Sequence, residues 1–407
     1  MKNPICLIQL VSEQTMPNLL PILALRPAAV IHLTTDKTAP RSARIMEAAA
    51  QADISPSHDP VRLSHMPSIR ETGRAVERAI LLARERGQSP VVNFTCGTKL
   101  MSIGAYEQAA MDKCPSFYVD TAERRFDDGG TAPGLADIFG DILSFQDLTP
   151  ALTLDAIVAA NGHRSISAGR DWQRFRNVAS HLYEHKEDEE ALHHSLHGKN
   201  GLCPNGSEPR DAAQWLLLLD RPFFVPELLL TKLVETGLAR SAGRDSALLP
   251  DHSREELSRL TNLTSKSGYF SAVEPLQQAL AFMSGGWWEV IVAESMARTG
   301  RFRDIRWSAQ ITQQSGSRVE EDLVAIDGVE AVCISCKRAS ASKMRLLSHL
   351  EEFNSRARSI GGQFTRRWLA VLIPPTGANG EPVSKRAQEL GIRLLSPLDL
   401  GAADPFV

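Results

Sequence analysis

The sequence predicts an α/β protein: a doubly wound parallel sheet first, then a helical middle region, then a second α/β domain at the C-terminal end. Three observations predict it. Short apolar, β-branched runs alternate with amphipathic stretches from residue 5 to residue 120. Residues 151–265 are mainly of helical period. Near the end, two apolar runs flank Asp327-Gly328, a two-residue hairpin signal.

Taken in order, residues 5–11 (ICLIQLV), 29–33 (AVIHL), 90–94 (PVVNF) and 116–120 (SFYVD) read as strands. Helices are expected over 17–25, 43–52, 68–86 and 98–111, between and after them. Alternation of this kind buries a parallel sheet on both faces. Ligands of such sheets bind at the carboxyl ends of the strands, near a switch in strand order. The loops 12–16, 34–38 and 95–99 are therefore the ones to watch. Residues 121–150 read as a turn-rich connector. Within the middle region, VPELLLTKLVETG at 225–237 and the following Gly-Arg-Asp turn suggest a winged-helix module. The C-terminal part reads helix 275–299, strand 304–311, hairpin 320–337, helix 342–360, strand 368–374 and helix 383–390, then the short run IRLLS. The expected domains are 1–145, 146–267 and 268–407.

Bulk properties narrow the class. The 407 residues carry a net charge of -3, so any nucleic-acid surface must be local. The six cysteines are scattered and suit reduced, buried thiols of a cytoplasmic protein. Met1-Lys2-Asn3-Pro4 leads into an apolar run too short to cross a bilayer, so no membrane partner is expected.

The stretch Asn93-Phe94-Thr95-Cys96-Gly97-Thr98-Lys99 sits where a strand ends and a helix begins. The first N–H groups of that helix lack internal partners and favour an anion. Gly97 permits close backbone approach, Thr95 and Thr98 offer hydroxyls, and Lys99 adds positive charge. The spacing fits neither the dinucleotide fingerprint nor the P-loop. Ser12-Glu13-Gln14 follows the first strand at the same sheet edge. LVSEQTMPNLLPIL and NFTCGTKLMSIGAY resemble the ligand loops of CRISPR-associated Rossmann-fold (CARF) domains, of the branch fused to a restriction-type nuclease. The resemblance covers about residues 1–145 and departs from the pattern once, with Cys96 in place of a glycine. It implies a homodimer that binds a cyclic oligoadenylate, by resemblance cyclic tetra-adenylate, as activator. It carries binding roles to Ser12, Gln14, Thr35, Thr95, Gly97, Thr98 and Lys99, with Asn93 and Cys96 in the same loop.

The C-terminal hairpin VEEDLVAIDGVEAVCISCK spans 319–337. With Asp327 and Gly328 as the turn, Glu320, Asp322, Ser335 and Lys337 share one face, while Val332, Ile334 and Cys336 share the other. Carboxylates hold Mg²⁺ or Mn²⁺ through hard oxygens, and a lysine nearby stabilises phosphoryl charge. Glu289, in Gly285-Gly286-Trp287-Trp288-Glu289, is a further carboxylate for the same ion. GGWWE, EEDLVAI and CISCK resemble the PD-(D/E)xK nuclease fold, a restriction-endonuclease-like α/β domain, over about 268–400. The resemblance implies Glu289 and Asp322 as metal ligands, the carbonyl of Cys336 as a third donor, and Lys337 as the catalytic lysine. Ser335 stands where the pattern has an acid. DNA and RNA both remain open as substrate. A ligand-responsive DNA-binding transcriptional regulator is the alternative, and a sensor that degrades its own ligand is a third reading.

Other motifs have structural readings. Cys333 and Cys336 fall on opposite strand faces, which suits the core better than zinc. His181, His185, His193, His194 and His197 read as a solvated helix. Burial of at least one of Trp287 and Trp288 is expected.

Overall fold

A computed structural model describes residues 3–130, 152–169, 171–204, 209–261, 269–338, 343–374, 380–402 and 406. The connector expected over 121–150 is therefore seen to residue 130, and 131–150 lie outside the described residues.

The first sheet follows the expected alternation. Its strands are β1 (Ile5–Leu10), β2 (Ala29–Thr34), β3 (Ser57–Arg62), β4 (Ser89–Asn93), β5 (Ser116–Asp120) and β6 (Arg125–Asp128). Helices α1 (Met16–Leu25), α2 (Ala39–Ala50), α3 (Ile69–Glu85) and α4 (Lys99–Met111) connect them. The order is β3-β2-β1-β4-β5-β6, with β6 antiparallel to β5. The strand order switches between β1 and β4, which places the loops after these two strands side by side.

The two faces of this sheet differ in chemistry. Cys6, Ile8, Leu10, Ile31, Leu33 and Val92 pack against the apolar sides of α3 and α4, including Val76, Ala79, Ile80, Ala105 and Ala109. The opposite face carries Gln9, His32 and Asn93, paired in one row across β2, β1 and β4. All three are completely buried.

Further along come α5 (Leu154–Ala160), β7 (His163–Gly169), α6 (Arg176–Glu184), α7 (Lys186–His197) and α8 (Ala212–Leu219). Next are β8 (Phe223–Phe224), α9 (Glu227–Glu235), β9 (Arg240–Ser241), β10 (Ser246–Leu248) and α10 (Arg254–Leu260). The three short strands form an antiparallel sheet in the order β8-β10-β9. Helices α11 (Tyr269–Ala281) and α12 (Trp287–Arg298) are joined by a π-helical turn over Phe282–Gly286. The remaining elements are β11 (Phe302–Gln313), β12 (Arg318–Asp327), β13 (Glu330–Lys337), α13 (Lys343–Gly361), β14 (Thr365–Val371), α14 (Gly380–Glu389), β15 (Ile392–Leu395) and α15 (Pro397–Leu400). They build a sheet of order β15-β14-β13-β12-β11-β7.

The chain divides into two compact units that do not follow chain order. One comprises Met1–Ala168, Arg301–Cys333 and His349–Arg367; the other comprises Gly169–Gly300, Ile334–Ser348 and Trp368–Val407.

Several expectations change. Strands β3, β6 and β7 have no counterpart in the apolar pattern, because each is a sheet edge and needs no doubly buried run. β3 even contains Pro60, tolerated at an edge. The hairpin turn is Gly328-Val329, not Asp327-Gly328. Asp327 stays in β12 because its carboxylate lies 2.7 Å from Arg301 and 2.6 Å from Arg366. Moving a turn by one residue moves each partner by two, which leaves every side chain on its face. His181 is buried, not solvated, on the packed side of α6, with Nε2 2.6 Å from Asp188. His197 contacts the Ser284 hydroxyl at 2.8 Å. His185 and His194 are exposed.

Candidate functional site

A cleft of about 320 Å³ opens at the carboxyl ends of the first sheet, lined by the loops after β1, β4 and β5. From the β1 loop come Ser12, Glu13, Gln14 and Pro17. Thr95, Cys96 and Gly97 come from the β4 loop, and Tyr118, Val119 and Thr121 from the end of β5.

Each loop is held from within. The Gln14 N–H donates to the Ser12 hydroxyl at 3.2 Å, closing a tight turn. Asn93 lies beneath the β4 loop. Its Oδ1 accepts from the Thr95 N–H at 3.1 Å and from the Thr95 hydroxyl at 2.5 Å. The same hydroxyl accepts from the Val119 N–H at 2.7 Å, tying the loop to β5. Gly97 has φ +88, which suits glycine, and an added Cβ would press on the Met101 side chain at 3.1 Å. Thr98 caps α4 by accepting from the Met101 N–H at 3.3 Å. Lys99 opens that helix and is exposed.

Five of the nine residues expected to bind ligand therefore line the cleft: Ser12, Gln14, Thr95, Cys96 and Gly97. Thr35, Asn93, Thr98 and Lys99 are not among its walls. Thr35 packs down on its own helix start, its N–H donating to the Thr38 hydroxyl at 3.0 Å. Tyr118 and Val119 also line the cleft, though they lie outside the two loop motifs and within a strand. The alternation in SFYVD carries the signal: Phe117 and Val119 are buried, so Tyr118 turns outward. Its ring is 43% exposed and lies 6.0 Å from that of Phe94, giving the cleft an aromatic wall of the kind on which bases stack.

The charges around the cleft are mild. Glu13 pairs with Lys37 at 2.6 Å, an exposed bridge of small energetic worth. Burial pushes the Cys96 thiol up to about 11, against weaker opposite pulls from Ser12.

In the C-terminal part, Asp322 is half-buried on β12 beside the fully buried Glu321. Glu321 accepts from Arg356 Nε of α13 at 2.9 Å. Glu320 is exposed and accepts from the Ser308 hydroxyl at 3.1 Å. On β13, Ser335 is fully buried and Cys336 7% exposed, while Lys337 at the strand end is half-buried. Glu289 is half-buried in the first turn of α12. Trp287 and Trp288 are both buried, and Trp288 Nε1 donates to the Ala370 carbonyl at 3.1 Å. Arg338, just past β13, makes two hydrogen bonds to Glu189 at 2.5 and 2.8 Å. Among the described residues no three His, Cys, Asp or Glu side chains gather into a metal cage. The expected set is smaller, two carboxylates and one main-chain carbonyl, and is all oxygen, the donor chemistry that hard divalent ions take.

Comparison with known proteins agrees with this architecture. Residues 6–128 match the family model of the Card1 CARF domain. No curated protein matches the chain. Among solved structures, Can2 from Sulfobacillus thermosulfidooxidans in complex with cyclic tetra-adenylate is similar over 98% of this chain and 94% of that one. The identity is 17% and the TM-score 0.63. Protein VC1899 from Vibrio cholerae is similar over 98% and 96%, with 16% identity and a TM-score of 0.71. Among the described residues no helix is long and apolar enough to cross a membrane. Over residues 6–128 the chain carries a CARF domain, and over 98% of its length it is similar in fold to these two structures.

Proposed function

We propose that this protein is a metal-dependent nuclease activated by a cyclic oligoadenylate. One observation carries the reading: the cleft between the β1 and β4 loops opens in the stretch that matches a CARF model. The likeness to Can2, solved with cyclic tetra-adenylate, supports it by running the length of both chains. The cleft suits such a ligand chemically. The first turn of α4, the Thr98 cap and Lys99 favour phosphates, and Tyr118 offers a face to adenine. Thr35 and Asn93 serve the same site from behind. The activator is read as cyclic tetra-adenylate.

The partner in ligand binding is a second copy of the chain. Leu100, Ile103, Tyr106 and Met111 are 41–76% exposed on one side of α4, an apolar surface of the kind that marks a protein interface.

The domain roles follow chain order: sensing by 1–145, catalysis by 268–407, with 146–267 between. By the resemblance in sequence, Glu289, Asp322 and the Cys336 carbonyl would hold Mn²⁺ or Mg²⁺, which would supply an activated water and neutralise phosphate charge. Lys337 stabilises the charge that develops on the phosphoryl oxygens. Ser335, buried in place of an acid, leaves the ion with fewer charged ligands and so a weaker hold. The substrate is DNA, RNA or both.

A cleavage assay on DNA and RNA, with and without cyclic tetra-adenylate and Mn²⁺, tests this reading. Cleavage is expected only with both, and EDTA abolishes it. Asp322→Ala lowers the rate by more than the roughly 100-fold typical of losing a residue outside the metal's own shell, while ligand affinity is kept. Wild-type cleavage by that variant overturns the site. A gel shift with no cleavage favours a ligand-responsive DNA-binding regulator built on α9 and the β8-β10-β9 sheet. That helix bears Lys232 against Glu227 and Glu235, a poor balance for a phosphate backbone.

A further inference from the structure

Beneath the cleft a file of buried polar groups crosses the first sheet. Asn93, Gln9 and His32 stand side by side on β4, β1 and β2, all completely buried. The row continues to Ser42 of α2 and to the half-buried His58 of β3.

Main-chain groups fix the direction of the bonds from Asn93 through Gln9 to His32. The Thr95 N–H can only donate, so Asn93 turns its Oδ1 to the β4 loop. Its Nδ2 then donates to the Pro17 carbonyl and to Gln9 Oε1, each at 3.0 Å. Asn18 Nδ2 also approaches Gln9 Oε1, at 3.4 Å. Gln9 Nε2 must donate: to the Asn18 carbonyl at 3.2 Å and to His32 Nε2 at 3.3 Å. His32 Nε2 is therefore an acceptor, and the ring carries its proton on Nδ1. That proton faces the Ser42 hydroxyl at 2.8 Å, with His58 Nε2 3.1 Å away. The Ser42 hydroxyl also lies 3.0 Å from His58 Nε2. Burial holds the His32 ring neutral, its pKa lowered to about 3, consistent with one bare nitrogen.

We propose that His32 is a positioning residue of the ligand cleft. Through Gln9 and Asn93 it holds Thr95, the cleft residue that ties the β4 loop to β5. Without that acceptor nitrogen, Gln9 keeps a buried N–H with no partner, and its amide loses one of the contacts that fix its place beside Asn93. A displaced Gln9 Oε1 loosens its bond from Asn93 Nδ2, and with it the hold of Asn93 Oδ1 on Thr95. The proposal rests on the reading of the cleft as an oligoadenylate site.

The test compares His32→Gln, whose amide oxygen reaches where Nε2 stands, with His32→Leu, which has no acceptor. Nitrogen NMR of the wild type at pH 7 should show the Nδ1–H tautomer; an Nε2–H tautomer overturns the proposal. His32→Leu should bind cyclic tetra-adenylate about tenfold more weakly, one buried donor left unmet, and His32→Gln within about twofold of wild type. Equal losses in both variants, or none in His32→Leu, overturn it. If the wild type does not bind cyclic tetra-adenylate, the sensor reading fails and the Thr95 amide decides this one. Its hydrogen exchange should quicken in His32→Leu and not in His32→Gln; equal exchange in the two overturns the positioning role.

Discussion

Cys96 stands between two cleft residues, Thr95 and Gly97, where the CARF pattern has a glycine. The left-handed backbone of the loop falls on Gly97, at φ +88, while Cys96 has no positive φ. The side chain is thus accepted without backbone strain. It is 4% exposed, with Sγ 3.9 Å from the Gln14 carbonyl, so it fills the space between the β1 and β4 loops. With its pKa pushed up to about 11 by burial, only about one thiol in a thousand is ionised at pH 8. A free cysteine at that pH is roughly a quarter thiolate. Iodoacetamide at pH 8, followed by peptide mapping, should therefore leave Cys96 unmodified in the folded protein and modify it fully in urea. Rapid modification in the native state excludes a filling role.

At the scale of elements, Arg306 shows how an edge strand is secured. It lies on β11 next to a register shift between Arg303 and Arg306, and is 3% exposed. Its guanidinium meets Asp304 at 2.7 Å, Asp155 of α5, and the Ile166 carbonyl of β7 at 3.3 Å. Arg306→Leu takes a buried guanidinium away from two carboxylates and a carbonyl; with Asp155 partly in water, the loss should be about 3 kcal/mol, the low end for a broken buried pair. Urea titration followed by tryptophan fluorescence reads it as an earlier midpoint, and an unchanged midpoint refutes the account. The same strand explains what the sequence conceals. Central strands β1, β2, β4, β12 and β13 are buried on both faces and announce themselves as apolar runs. β3, β6 and β7 pair on one side only, so SHDPVR, RFDD and HRSISAG need no such run. The cleft loops were legible because a glycine and capping residues mark the end of β4. The row behind them has a signal too: ICLIQL, AVIHLT and SPVVN each place a polar residue at or near the strand end. Only the register shows that Gln9, His32 and Asn93 are neighbours.

At the scale of the molecule, the sensor loop and part of the C-terminal sequence fold in one unit, so a ligand signal has a short path. Gln14, a cleft residue, forms a reciprocal amide pair with Gln363, two hydrogen bonds of 2.8 Å. Gln363 lies in the turn between α13 and β14, beside Gly362 at φ +64. From that turn α13 leads back to Arg356, which holds the buried Glu321, the neighbour of Asp322. One helix thus joins the ligand loop to the residue beside a proposed metal ligand. A ligand that recruits the Gln14 amide must break the pair, so the pair belongs to the resting arrangement and opposes binding. By linkage, removing it favours the bound arrangement by as much as the pair favours the resting one. Two exposed hydrogen bonds amount to about 1 kcal/mol, or roughly fivefold. Gln363→Ala should therefore bind cyclic tetra-adenylate about fivefold more tightly and raise cleavage in the absence of ligand. Titrating cleavage rate against ligand reads both effects. Unchanged affinity and unchanged basal rate together would show that the Gln14–Gln363 contact plays no part in the signal, and that Gln14 meets ligand without leaving it.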